Sequence, residues 1–383
     1  MYTLCAAVGR PTQHVSERLS MTLGHATGDR IAFLRIVMIF GVIVLHTPAY
    51  VPMSAIGDGW FDLTKAFFQL AVFRASVPVL TVISGYLLFK SCIDQEPVRC
   101  LTKKARTILI PFLCFNLPLA PVALGAEMFG GMHLSANLWP FDATGWLNAA
   151  FGLTDSPINY PLNFLRDLIV LILLAPLFGW LLRKAAWPGL VLVSVIFMGD
   201  FDGHLLQRNL MAMQFYIGGM AAVRAWDLRC LDRHAGILFV AFVLACLATL
   251  HFRMEDTTWL RLAAPFLLWP ATAWAAGTRF GAWLAGMSKY SFFLFLAHAP
   301  ILMLTWILYG RYGSAIPYPV YWVMAPLVVS AILLVVYQVA IATIPRVFTS
   351  MIGASTRHGA SARPATAKDQ QRGGTLAQTA IKI

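Results

Sequence analysis

The sequence predicts an all-α polytopic membrane protein, a bundle of about ten transmembrane helices with both termini cytoplasmic. Three observations carry that expectation. Hydrophobic residues make up 59% of the 383 positions and charged residues only 12%, about half of the roughly 25% usual in soluble domains. Apolar runs recur along the whole chain rather than in one block. Trp, Tyr and Phe, 13% of the chain, gather at the edges of those runs, where amphipathic rings settle at a membrane interface.

A hydrocarbon core of ~30 Å takes about 20 apolar helical residues. That places spans near 31–49, 66–89, 107–125, 164–182, 187–200, 209–223, 235–251, 258–277, 290–309 and 321–344. The fifth, "WPGLVLVSVIFMGD", is short enough to be re-entrant, and charge asymmetry argues for keeping it. With the N-terminus inside, 21 of the 29 Lys and Arg fall in cytoplasmic segments, while only Lys65, Arg208, Arg253, Arg261 and Arg311 fall outside. Without the fifth span, Arg224, Arg229 and Arg233 would move outside, against the positive-inside rule.

Residues 1–29 are polar and irregular, with no apolar core of a cleavable leader, and are expected to form a cytosolic N-terminal segment. Met21 is an alternative start, and the first span would serve as an uncleaved anchor. Residues 30–345 form the membrane domain. From about 346 to 383 the chain is rich in Ala, Thr, Ser, Gly, Gln and Lys/Arg and reads as a disordered basic cytosolic tail. The net charge of +12 is spread over short loops rather than gathered on one polar segment, which excludes a nucleic-acid partner. The six cysteines show no metal-ligand spacing and none falls in an outer loop, so neither a disulfide nor a metal site is expected. No fixed-period repeat and no matched pair of broken helices is visible.

Four charges remain inside the spans: Arg35, Arg74, Arg166 and Asp167. Each costs on the order of 3 kcal/mol at a helix centre, so such residues usually face the bundle interior. Arg35 and His46 stand 11 residues apart in "FLRIVMIFGVIVLH". At 100° per residue this is about 20° past three full turns, so both lie on one face, ~16 Å apart along the axis. Three further stretches supply context. "FRASVPVLTVISGYLL" carries Arg74 and ends in Ser84-Gly85, "NFLRDLIVLILLAP" carries Arg166-Asp167, and "LAGMSKYSFFLFLAHAPIL" sets His298 one heptad after Ser291.

Together these stretches resemble the integral-membrane acyltransferase 3 family. An arginine, ten residues and a histidine in the first span match Arg35 and His46. A "VPxxxxxSGY" run matches Val77-Pro78 through Ser84-Gly85-Tyr86, and "FLRDL" and "YSxxLFLxH" follow in family order. The chain departs at Val79-Leu80-Thr81, where the family has a Phe-rich run, and at Asn163, where an aromatic is common. The resemblance covers about residues 30–345.

It implies transfer of an acyl group, usually acetyl, from cytosolic acetyl-CoA to a hydroxyl of a surface sugar, without a metal. The acceptor would be an exopolysaccharide or a lipid-linked oligosaccharide, at the bacterial inner membrane and among membrane lipids. His46 would then be catalytic, as general base or transient acyl carrier; its unperturbed pKa of ~6.5 suits a base at neutral pH. Arg35 would position the donor, and Arg74 and Arg166 would bind its phosphates, although Arg166 and Asp167 equally suit a structural ion pair. Ser84 is a substrate candidate or a helix-packing residue, and His298 a proton-network or packing residue. The cluster Arg99, Lys103, Lys104 and Arg106 suits the donor phosphates or simple topology. The outer loop 126–163, with Trp139, Trp146, Tyr160, Asn137, Asn148 and Asn159, suits a carbohydrate or an interfacial belt. The rival expectation is a transporter or flippase using Arg35, Asp167 and the histidines as a proton or substrate path.

Overall fold

A computed structural model describes residues 13–130, 138–313 and 315–354. Helix α1 is Gln13–Leu45, α2 Trp60–Lys90, α3 Pro97–Phe129, α4 Ala143–Phe151, α5 Tyr160–Lys184, α6 Ala186–Met198 and α7 Leu210–Val223. They are followed by α8 Asp232–His251, α9 Thr258–Leu268, α10 Thr272–Ala275, α11 Arg279–Tyr312, α12 Tyr318–Thr343 and α13 Pro345–Met351. No strand occurs among the described residues.

A helix covers each of the ten predicted spans, and six of them (α2, α3, α5, α8, α11 and α12) are long and apolar enough to cross a membrane unaided. The others differ for visible reasons. Helices α6 and α7 are apolar but short. The expected span 258–277 breaks into α9 and α10, and α1 carries Asp29, Arg30 and Arg35 along its length. Residues 13–29, expected to be irregular, continue α1, since no proline follows Pro11 until Pro48. Pro345 opens α13 at the position where its missing N–H is tolerated. The remainder of the predicted tail lies outside the described residues.

The core runs through the bundle, with Ile43, Leu165, Leu171, Phe215, Tyr216 and Leu296 essentially inaccessible. The outward faces are as apolar as the core: α12 exposes Val323, Leu327, Val335 and Val339, and α8 exposes Ile237, Val240 and Leu244. A helix that is hydrophobic all round is what a lipid environment demands.

Prolines shape the interior. In α2, Pro78 has no N–H for the carbonyl of residue 74. Just upstream, the helix widens into a π turn at Phe67–Ala71 and tightens into a 3₁₀ turn at Val72–Ala75. A second π turn, Ala105–Leu109, precedes Pro111 in α3. The tightest crossing joins α2 to α7. A Cβ at Gly85 would strike the Phe215 carbonyl, and one at Gly218 would strike the Val82 carbonyl. Small residues let helix backbones approach in this way. Gly85→Leu is therefore expected to cost at least ~2 kcal/mol through overpacking, read as a lowered melting temperature of the detergent-solubilised protein; an unchanged melt would refute the close crossing.

One end of the bundle is tied by ion pairs that each bury one partner. Arg30 donates to both carboxylate oxygens of Asp232 at 2.8 Å and lies over the Trp269 ring. Arg183 donates to Asp94 at 2.6 Å. Helix α1 ends at the opposite end, where the candidate site lies.

Candidate active site

His46 stands on the turn that ends α1, its backbone N–H still donating to Val42 O at 3.1 Å. Pro48 explains the stop, because the residue before a proline avoids the helical region. The orphaned carbonyls of that last turn are capped by Gln69, whose Nε2 donates to Leu45 O at 2.9 Å and Thr47 O at 2.8 Å. Gln69 and Thr47 are buried. Beyond the turn, Tyr318 accepts from Ala49 N at 2.9 Å, and Lys65 donates to Ala49 O. The turn that carries His46 is therefore fixed from two neighbouring helices, α2 and α12.

Its partner is His298. Nδ1 of His46 lies 3.2 Å from Nε2 of His298, and the Tyr160 ring packs edge-on against His46 with centroids 5.1 Å apart. His298 is completely buried, and its own Nδ1 lies 2.8 Å from Phe295 O and 3.2 Å from Leu294 O. Carbonyl oxygens only accept, so Nδ1 of His298 carries the proton and Nε2 the lone pair. His46 must then donate from Nδ1, which leaves the lone pair of its Nε2 free. Two carbonyls thus set the tautomer of both rings.

Pro300 in α11 cannot pair with the Leu296 carbonyl four residues earlier. Asn159 takes that carbonyl instead, Nδ2 donating to Leu296 O and to Phe115 O at 3.0 Å each. Its backbone N–H donates to Asn116 Oδ1 at 2.9 Å, and Asn116 donates on to Ala149 O and Ala150 O. These buried asparagines clamp α3, α4 and α11 together and deliver Tyr160 to the histidine.

His46 opens on a small cavity of about 90 Å³, shared with Arg74, Arg208, Arg261, Gln214 and Phe164. The 3₁₀ turn of α2 brings Arg74 there, where its Nη2 donates to Tyr50 Oη at 2.6 Å. Arg208 comes from the loop before α7 and Arg261 from α9; sequence reasoning treated both as ordinary outer-loop cations. Their signal was their rarity, since few basic residues stand on that side. Burial draws the Arg208 guanidinium below the usual arginine pKa, with Asp167 opposing the shift.

The other predicted residues are dispersed. Arg35 stands on the same helix as His46 but does not line its cavity, and among the described residues it has no hydrogen-bonding or ion-pair partner. Arg166 donates to Gly152 O and Leu153 O at 2.8 Å each, to Asp167 at 3.0 Å and to Leu205 O. Asp167 also accepts from the backbone N–H groups of Gln207 and Arg208. Together they tie the loops at residues 152–153 and 205–208 to α5. Ser84 donates back to Leu80 O at 2.7 Å beside the Gly85 crossing. At the far end, Arg99, Lys103, Arg106 and Arg346 line an open groove of about 1120 Å³ between α3 and α13. Asn137 lies outside the described residues. Among the described residues no group of three His, Cys, Asp or Glu is placed to hold a metal.

A family model described as an acyltransferase domain matches residues 29–343. The succinoglycan biosynthesis protein ExoH of Rhizobium meliloti (strain 1021) is 31% identical over 351 residues, covering 85% of this chain and 92% of that protein. No solved structure matches the chain.

Proposed function

Because the chain belongs to the acyltransferase 3 family, we propose that it is a multi-pass membrane enzyme. It transfers an acyl group from cytosolic acyl-CoA, acetyl-CoA being the simplest donor, to a hydroxyl of an exopolysaccharide or its lipid-linked precursor. The similarity to a succinoglycan biosynthesis protein supports the choice of acceptor. The observation that carries the chemistry is the histidine pair, in which buried His298 holds His46 with its Nε2 lone pair facing outward from the pair.

In the reaction, His46 Nε2 takes the proton of the acceptor hydroxyl as that oxygen attacks the thioester carbonyl carbon. The new C–O ester bond forms and the C–S bond breaks. The proton on His46 passes to the leaving CoA thiolate, so the base is restored. While His46 is cationic, its Nδ1–H donates to neutral His298, a charge-assisted bond stronger than the one in the resting state. Arg35, unpartnered and ~16 Å down the same helix face, reaches toward the donor from the cytosolic side. The basic groove at Arg99, Lys103 and Arg106 receives the CoA phosphates, with both termini on that side. Arg166, Asp167 and Ser84 serve by holding the helices and loops around the site.

The test uses wild-type protein in proteoliposomes with acyl-CoA carrying a radiolabelled acyl carbonyl and exported polysaccharide as acceptor. Label appearing in an alkali-labile ester on the polysaccharide is the expected result. Label retained in the thioester while polysaccharide crosses the bilayer would favour a flippase instead.

A further inference from the structure

We propose that the cavity beside His46 is an anion subsite, in which Arg74, Arg208 and Arg261 receive a carboxylate carried by one of the two reactants. This rests on acyl transfer at His46. Elsewhere the bundle pairs arginines with aspartates: buried Arg30 with Asp232 at 2.8 Å, buried Arg166 with Asp167 at 3.0 Å, and Arg183 with buried Asp94 at 2.6 Å. No acidic residue lines the cavity, and none of its three arginines forms an ion pair among the described residues. The neighbouring carboxylates are engaged by other groups. Asp167 accepts from Arg166 and from the Arg208 backbone N–H rather than from its guanidinium. Asp256 accepts from Thr258 N at 2.8 Å.

Two guanidinium nitrogens, Nη1 of Arg208 and Nε of Arg261, are buried without an acceptor from the protein. A buried donor left unpaired is costly, and like charges crowded around one small cavity repel. Three guanidiniums match a stable, full negative charge present in the ground state, and their planar N–H pairs suit a carboxylate. At about 90 Å³ the cavity is too small for a nucleotide, and the groove suited to CoA phosphates lies at the other end of the bundle. The carboxylate therefore belongs either to the transferred acyl group, as the free end of a dicarboxylic half-thioester, or to an acidic sugar of the acceptor.

The test compares two matched pairs of reactants in proteoliposomes: succinyl-CoA against acetyl-CoA, and native oligosaccharide against the same oligosaccharide with its carboxylates reduced to alcohols. Wild-type protein is expected to prefer the anionic member of one pair by about 10–100-fold in kcat/KM, and that pair names the source. In Arg208→Gln and Arg261→Gln the preference ratio should fall toward one. A wild-type enzyme indifferent within both pairs, or variants that lose rate with the ratio intact, would overturn the subsite. Failure of the underlying acyl transfer is a separate outcome, seen as no wild-type turnover with any of the four combinations.

Discussion

Replacing His46 with alanine is expected to lower acyl transfer by about 10²–10⁴-fold in kcat, the range a positioned general base supplies, with little change in the KM for acyl-CoA. The expectation follows from geometry. Nδ1 of His46 is committed to His298 at 3.2 Å, and Nε2 carries the remaining lone pair. His46 contributes no ion pair or capping bond whose loss would unfold the site. The readout is O-acyl content of the exported polysaccharide by mass spectrometry, normalised to membrane abundance of the variant. Unchanged acylation would remove His46 from the mechanism. Acid quenching of wild-type turnover, followed by peptide mass spectrometry, separates the two roles: an acylated His46 peptide marks a covalent carrier, and its absence marks a base.

His298→Ala should produce the second-largest loss, about 10²-fold or more, although His298 touches neither reactant in this geometry. Without its Nε2, the Nδ1–H of His46 has no side-chain acceptor, and the ring is free to turn or to adopt the opposite tautomer. The logic is that of any base oriented by a third group. His298→Gln distinguishes positioning from packing, since its amide oxygen reaches about as far as Nε2 and can accept the same proton. Recovery of at least tenfold in kcat over the alanine variant is expected. Equal activity of the two variants would reduce His298 to a packing residue.

Part of this arrangement was legible in the sequence because membrane charges are expensive. Arg35, Arg74, Arg166 and Asp167 all stand out in apolar runs, and of these only Arg74 lines the cavity at His46. Helix α1 runs unbroken from Arg35 to Leu45, and His46 follows on its closing turn. Three things were not legible. The pairing of His46 with His298 joins positions 252 residues apart, and no local period encodes such a contact. Arg208 and Arg261 looked like loop cations because their burial depends on how the loop before α7 folds back over the bundle. The division of 258–277 into α9 and α10 is hidden because Pro265 and Pro270 stand inside the apolar stretch 262–271.

The asparagine clamp has a consequence for how such a protein can diversify. Asn116 and Asn159 hold the outer loop by its roots, bonding to main-chain carbonyls rather than to side chains in the loop. Exposed side chains of that loop can therefore change while those carbonyls, and with them Tyr160 and the histidines, keep their places. What the clamp holds is the loop's main chain, not its exposed side chains. Variation can accumulate on those side chains while the histidine pair is inherited unaltered.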